Sequence, residues 1–194
     1  MENLVTITIN GKTAQVPSNY TIMQAADEMG ISIPRLCFLK DINENASCRV
    51  CVVEIAGMRS LKNSCSVEVG SILNREGTAT IYTNSKRVRS SVRQTLELIA
   101  ANHRFDCWKC PREHNCELLA LLRRFSIDNK MAESGEFAKK LPIINESDAI
   151  VFDSSKCVLC GRCIAACEKL SGTGVLNFNE RGFVTCVTGW MPRH

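Results

Sequence analysis

Residues 4–24 read LVTITINGKTAQVPSNYTIMQ, and the fold of the first half of the chain turns on them. Thr6-Ile7-Thr8-Ile9 alternates polar and apolar side chains, the period of a strand with one buried face. Asn10-Gly11 follows, a pair that tolerates the positive φ angles of a tight hairpin turn. Thr13 to Val16 then returns as a second strand. Thr21 and Gln24 stand three apart before an apolar run and form a capping box: the Thr21 hydroxyl accepts from the Gln24 amide, and the Gln24 side chain reaches back. Ile22, Ala25, Ala26 and Met29 give this helix one apolar face. Gly30 suits the position just past its end. Ile31-Ser32-Ile33-Pro34 leads out in extended conformation, as the proline requires.

A hairpin followed by a packed helix predicts a β-grasp fold. Val52-Val53-Glu54-Ile55 reads as a further strand and Thr80-Ile81-Tyr82-Thr83 as the closing one, so a first domain is expected over residues 1–83. Ser85 to Asn102 reads as a helix, with Val88, Val92, Leu96 and Ile99 on one buried stripe. Leu118, Leu119, Leu121, Leu122 and Phe125 repeat that pattern in a second helix. Asn129 to Lys140 is polar and reads as a surface connection. The expected organisation is therefore α+β: a β-grasp domain over 1–83, a small helical domain over 84–142, and a small cysteine-rich module over 143–194.

The chain has 194 residues, 45% of them hydrophobic, and a net charge of +4. Lys86, Arg87, Arg89 and Arg93 cluster, but without a reading motif or a broad basic surface they describe a solvated helix face, and no nucleic-acid partner is expected. No apolar run approaches the ~18 residues of a membrane span. The start, Met1 to Thr6, lacks a basic segment followed by an apolar one, so the expected location is the cytoplasm. Twelve cysteines are the outlier. In a reducing compartment they read as metal or cluster ligands before disulfides.

The cysteines fall into three groups. Cys37, Cys48, Cys51 and Cys65 lie around the middle of the first domain, with Cys48-Arg49-Val50-Cys51 directly before a strand. Four thiolates suit a [2Fe–2S] cluster, although the ten-residue first gap departs from the plant-type spacing. His103, Cys107, Cys110 and Cys116 follow as H-x3-C-x2-C-x5-C. One imidazole and three thiolates suit zinc as well as a cluster. His114, in the same stretch, reads as a surface residue. Cys157, Cys160, Cys163 and Cys167 form C-x2-C-x2-C-x3-C, the bacterial ferredoxin run for a [4Fe–4S] cluster, whose last cysteine commonly serves a second cluster. No second such run follows, and Cys186 stands outside any motif.

In this order the three groups resemble the N-terminal iron–sulfur region of [FeFe] hydrogenases of the NAD(P)-linked, multisubunit type and of NADH dehydrogenase large subunits. The long-loop spacing of the first group, the one-histidine motif of the second, and Glu168 to Phe178 followed by Arg181-Gly182-Phe183 carry the resemblance. It implies one [2Fe–2S] cluster on Cys37, Cys48, Cys51 and Cys65. It implies a [4Fe–4S] cluster on His103, Cys107, Cys110 and Cys116, and a second on Cys157, Cys160 and Cys163. In those families the cysteine matching Cys167 serves a further cluster. Here either Cys167 or Cys186 completes the third site, or the site is incomplete. The families continue into a second ferredoxin run and a catalytic domain, before which this chain stops. The implied function is electron relay within a hydrogenase, NAD(P)H-linked dehydrogenase or formate dehydrogenase complex, with no catalysis by this chain alone. A flavin- and NAD(P)-binding subunit and a catalytic subunit are the implied partners. A zinc-stabilised protein-interaction module is the alternative.

Overall fold

The computed structural model describes residues 3–128, 143–147 and 150–189. It separates into two compact units, one of residues Met1–Phe38 and Glu44–Thr95, the other of Leu39–Asn43 and Leu96–His194. Both strands and helices are present, so the molecule is α+β.

In the first unit, strands β1 (Leu4–Ile9) and β2 (Lys12–Pro17) form the expected hairpin, pairing antiparallel from Leu4↔Pro17 to Ile9↔Lys12. Asn10 (φ 50°) and Gly11 (φ 85°) both take positive φ at the turn, which matches the right-handed twist of the flanking strands. The alternation in β1 buries Val5, Ile7 and Ile9 on one face. Helix α1 (Ile22–Glu28) begins at Thr21 with both bonds of the capping box, Gln24 N–H to Thr21 Oγ1 at 3.2 Å and Thr21 N–H to Gln24 Oε1 at 2.8 Å. It buries Ile22, Met23, Ala25 and Ala26.

Strands β3 (Val52–Ile55), β4 (Lys62–Asn63) and β5 (Thr78–Tyr82) complete a five-stranded sheet of order β2-β1-β5-β3-β4. β5 runs parallel to β1, with Ile7↔Ala79 and Ile9↔Ile81 in register, and antiparallel to β3. Ile7, Ile9, Met23, Val53, Val69 and Ile81 meet in one core, each fully buried. Such burial stabilises by roughly 1.5–3 kcal/mol per large aliphatic side chain. β5 starts earlier than its alternation suggests because Asn74 Oδ1 accepts from the amides of Glu76 (2.9 Å) and Thr78 (3.0 Å), which turns the chain into the strand. It ends at Tyr82, where the Thr83 amide turns to the side chain of Asn10 instead (2.9 Å).

Helix α2 (Lys86–Ala101) buries Val88, Val92 and Leu96 as the stripe requires. Ile99 is only half-buried, and Ala100, one position on, takes its place. The straight helix advances 3.6 residues per turn, so its contact line passes between the two. The basic side chains Lys86, Arg87, Arg89 and Arg93 are exposed.

In the second unit, helix α3 (Glu117–Arg124) buries Leu118, Leu121 and Leu122. Strands β6 (Ile143–Ser147) and β7 (Ile150–Asp153) pair antiparallel. Helix α4 (Arg162–Lys169) starts after Gly161, whose φ of 74° suits glycine. Strands β8 (Asn177–Asn179) and β9 (Cys186–Thr188) form a second small hairpin. Arg162 binds Glu117 at 2.6 Å and so links α4 to α3. The polar connection Asn129–Lys140 lies outside the described residues. Among the described residues, no helix is long and apolar enough to cross a membrane.

Candidate iron–sulfur sites

The first site lies entirely in the first unit. Cys37 follows the extended exit from α1, Cys48 and Cys51 occupy the loop entering β3, and Cys65 follows β4. Arg49, between Cys48 and Cys51, takes a φ of 54°. A left-handed non-glycine residue costs about 1–3 kcal/mol, and this one bends the loop between Cys48, which is partly buried, and Cys51, which is buried. Cys37, Cys51 and Cys65 are buried. The four thiols associate in two pairs. Cys51 and Cys65 sulfurs hydrogen-bond at 3.4 Å, and Cys37 bonds Cys48 in the same way.

Within each pair the bond between the thiols lowers one and raises the other. The Cys48 thiol pulls Cys37 down to about 5, helped by the Cys48 and Ser47 amides. The Cys65 thiol pulls Cys51 down to about 6. Cys48 and Cys65 are pushed up by the same bonds, with burial adding to the effect. Arg35 is held by Asp27 through two bonds of 2.8 and 2.5 Å, and its charge is felt by Cys51 and Cys65.

The second site is a cavity in the second unit. His103, Cys107, Cys110 and Cys116 all line it. His103 ends the turn after α2, its amide donating to the Ala100 carbonyl at 3.0 Å. Its Nδ1 is buried, and its ring meets Phe105 edge-on at 4.9 Å. Cys107 opens a single 3₁₀ turn that returns the Cys110 amide to the Cys107 carbonyl at 2.9 Å. Cys116 caps α3, its sulfur accepting from the Leu119 amide at 3.4 Å. Burial, then the neighbouring Cys116 and Cys110, push the Cys107 thiol up. His114 is exposed and is not among the residues lining this cavity. Lys156 lines the cavity from the opposite segment.

The third site is more open. Leu159 (φ 56°) bends the loop between Cys157 and Cys160, and its amide donates to Cys157 Sγ at 3.3 Å. Asn43 Nδ2 donates to the Cys160 carbonyl at 3.0 Å. Cys163 is exposed on the first turn of α4. Partial covering of its sulfur, then Cys157 and also Cys167, push its thiol up. Cys167 lies one turn further along α4, where Thr173 Oγ1 at 3.2 Å and the Leu176 amide pull its thiol down to about 7. Cys186 is buried in β9, opposite Asn179.

The sequence pattern carries no sign of the two-and-two pairing of the first thiols or of Arg35 beside them. For Lys156 at the second cavity the one trace is that it directly precedes Cys157.

Three family models match the chain, one at each site. A 2Fe-2S iron-sulfur cluster binding domain covers residues 2–73, an NADH-ubiquinone oxidoreductase-G iron-sulfur binding region covers 93–130, and a 4Fe-4S binding domain covers 150–169. Cys186 lies outside all three. The chain is thus an iron–sulfur electron-transfer region and not a zinc module. Its domains are of the NADH-quinone oxidoreductase G and NAD(P)-reducing hydrogenase type.

Among its relatives are NADP-reducing hydrogenase subunit HndD of Solidesulfovibrio fructosivorans, 40% identical across 95% of this chain and 31% of that protein, and iron hydrogenase 1 of Clostridium pasteurianum, 33% identical across 91% and 30%. The alpha subunit of the NADPH-Fe(3+) oxidoreductase of Geobacter sulfurreducens is 29% identical across 95% and 21%. The chain spans a third or less of the length of these relatives. A crystal structure of NAD+-reducing [NiFe]-hydrogenase in the H2-reduced state shares the fold, with a TM-score of 0.80 at 24% identity over 95% of this chain and 74% of that one.

Proposed function

We propose that this chain relays electrons through one [2Fe–2S] and two [4Fe–4S] clusters to partner subunits of a cytoplasmic redox complex and performs no substrate chemistry itself. The two-and-two pairing of the first four thiols carries the reading. Two thiolates on one tetrahedral iron, with metal–sulfur bonds near 2.3 Å, stand about 3.8 Å apart. Cys51 and Cys65, at 3.4 Å, are close to that spacing. Cys37 with Cys48 and Cys51 with Cys65 therefore suit two irons side by side.

His103, Cys107, Cys110 and Cys116 around one cavity suit the four corners of a cubane. Cys157, Cys160 and Cys163 suit three corners of another. For its fourth corner Cys167 is favoured over Cys186, because Cys167 lies one turn along α4 from Cys163 and is only partly covered, whereas Cys186 is buried in a separate hairpin. When bound, such clusters accept and pass on single electrons. The residues do the rest: loop amides donate to the sulfurs, burial of the first site excludes water, and Arg35 adds positive charge there. Both donation and positive charge favour the reduced state.

The sheet order β2-β1-β5-β3-β4 with α1 packed on it supports a β-grasp arrangement, and we place the domains at 1–83, 84–142 and 143–194. A flavin- and NAD(P)-binding subunit and a catalytic subunit are the proposed partners, in a hydrogenase, NAD(P)H-linked dehydrogenase or formate dehydrogenase complex. Iron and acid-labile sulfide analysis of the anaerobically purified chain tests the cluster count. Roughly ten of each per chain are expected from the ligand sets. Zinc without sulfide overturns the reading.

A further inference from the structure

Asp106 stands next to Cys107 and binds two cations, Arg104 at 3.0 Å and Lys156 more closely. Lys156 comes from the turn after β7, fifty residues further along the chain (156 − 106). Its ammonium also donates to the Arg104 carbonyl at 3.3 Å, and the Arg104 amide donates to the Ser155 carbonyl at 3.2 Å. These bonds fasten the segment before Cys157 against the segment after His103. The Lys156 and Asp106 side chains are only 21% and 20% exposed, against 48% for Arg104.

Four charged residues line the second cavity. Arg112 and Glu113 are exposed, so solvent and salt screen them, and their opposite signs offset. Arg104 is half-exposed and screened in part. Lys156 is the cation whose field acts on the cavity through protein rather than water, where a charge is felt more strongly. Asp106 does not line the cavity itself; bound to Lys156 and next to Cys107 in the chain, it is the carboxylate that opposes that cation.

From this geometry we infer that Lys156 and Asp106 act as an opposed charge pair that sets the reduction potential of the cluster held by His103, Cys107, Cys110 and Cys116. The inference rests on that ligand assignment. Positive charge beside the cavity favours an added electron, and negative charge resists it. Neither residue touches the cluster's irons; both act through their field. Because Lys156 also anchors the segment leading into Cys157, the pair fixes the second site's potential at the place where the chain passes to the third.

The test is a redox titration of the full cluster-loaded chain, followed by electron paramagnetic resonance. Cys107→Ala first identifies the signal of this cluster by its loss. Lys156→Met is expected to lower the midpoint potential of that signal and Asp106→Asn to raise it. Lys156→Arg is expected to keep the wild-type value, and the double variant Lys156→Met/Asp106→Asn to return towards it. A purely structural pair gives cluster loss or same-direction shifts in both single variants, and either result overturns the inference. So does an unmoved potential in both. If Cys107→Ala removes no signal, the ligand assignment itself fails, a result separate from any shift of potential.

Discussion

Cys51 and Cys65 sulfurs lie 3.4 Å apart inside the core of the first unit, although β3, the turn after it and β4 separate them in the chain. Their pairing, and that of Cys37 with Cys48, makes the first site self-contained. Cys51→Ala is therefore expected to abolish the [2Fe–2S] signal and to leave both [4Fe–4S] signals intact. Iron content should fall by about two per chain. Visible circular dichroism and electron paramagnetic resonance on the same sample check this, and joint loss of all three signals would show the sites to be interdependent.

The two histidines of the second stretch should behave differently. His103 lines the cavity with its Nδ1 buried, whereas His114 is exposed away from it. His103→Cys is expected to keep a cluster at a lower potential, because a thiolate adds the negative charge that neutral imidazole lacks. His114→Ala is expected to leave the potential and spectrum unchanged. Equal, large effects of both substitutions in a redox titration would remove His103 from the ligand set.

What could be read in the sequence was what is local. The hairpin at Asn10-Gly11 and the capping box at Thr21 and Gln24 are determined within a few residues, and both stand as read. Cysteine spacing within each loop was likewise legible, because backbone geometry ties neighbours together. Non-local partners were not. Nothing near Thr78 announces a parallel pairing with β1, and the early start of β5 depends on the Asn74 side chain. A count in whole residues puts Ile99 on the buried stripe, whereas the 3.6-residue turn brings Ala100 there instead. The pairing of Cys37 with Cys48, and of Lys156 with Asp106, depends on folded contacts that spacing does not encode.

The capping box offers a test of stability alone. Thr21 satisfies the Gln24 amide at the entry to a helix that buries Ile22 and Met23 in the core. Thr21→Ala should cost about 1 kcal/mol, and Thr21→Ser should restore nearly all of it. The urea midpoint of the cluster-loaded protein, read by far-ultraviolet circular dichroism, measures both variants. Cluster signals at zero urea should match the wild type, since no proposed ligand is displaced.

The third site should be the first to fail in air. Its Cys163 is exposed, and Cys157, Cys160 and Cys167 are only partly covered, whereas Cys37, Cys51 and Cys65 of the first site are buried. Exposure governs oxidant access to sulfur, so the sites should degrade in order of exposure. The fourth corner adds to the weakness. Cys167 is engaged with Thr173 Oγ1, a contact that cluster binding has to share or break. Cys186 is buried in β9 opposite Asn179, among the residues of a separate hairpin. Controlled oxidation is thus expected to produce a [3Fe–4S] signal that is absent in Cys157→Ala and unaffected by Cys186→Ser. Cys167→Ser should give the same signal before any oxidant is added. Earlier loss of the His103-containing cluster would contradict this order, and loss of the third cluster in Cys186→Ser would transfer the fourth ligand from Cys167 to Cys186.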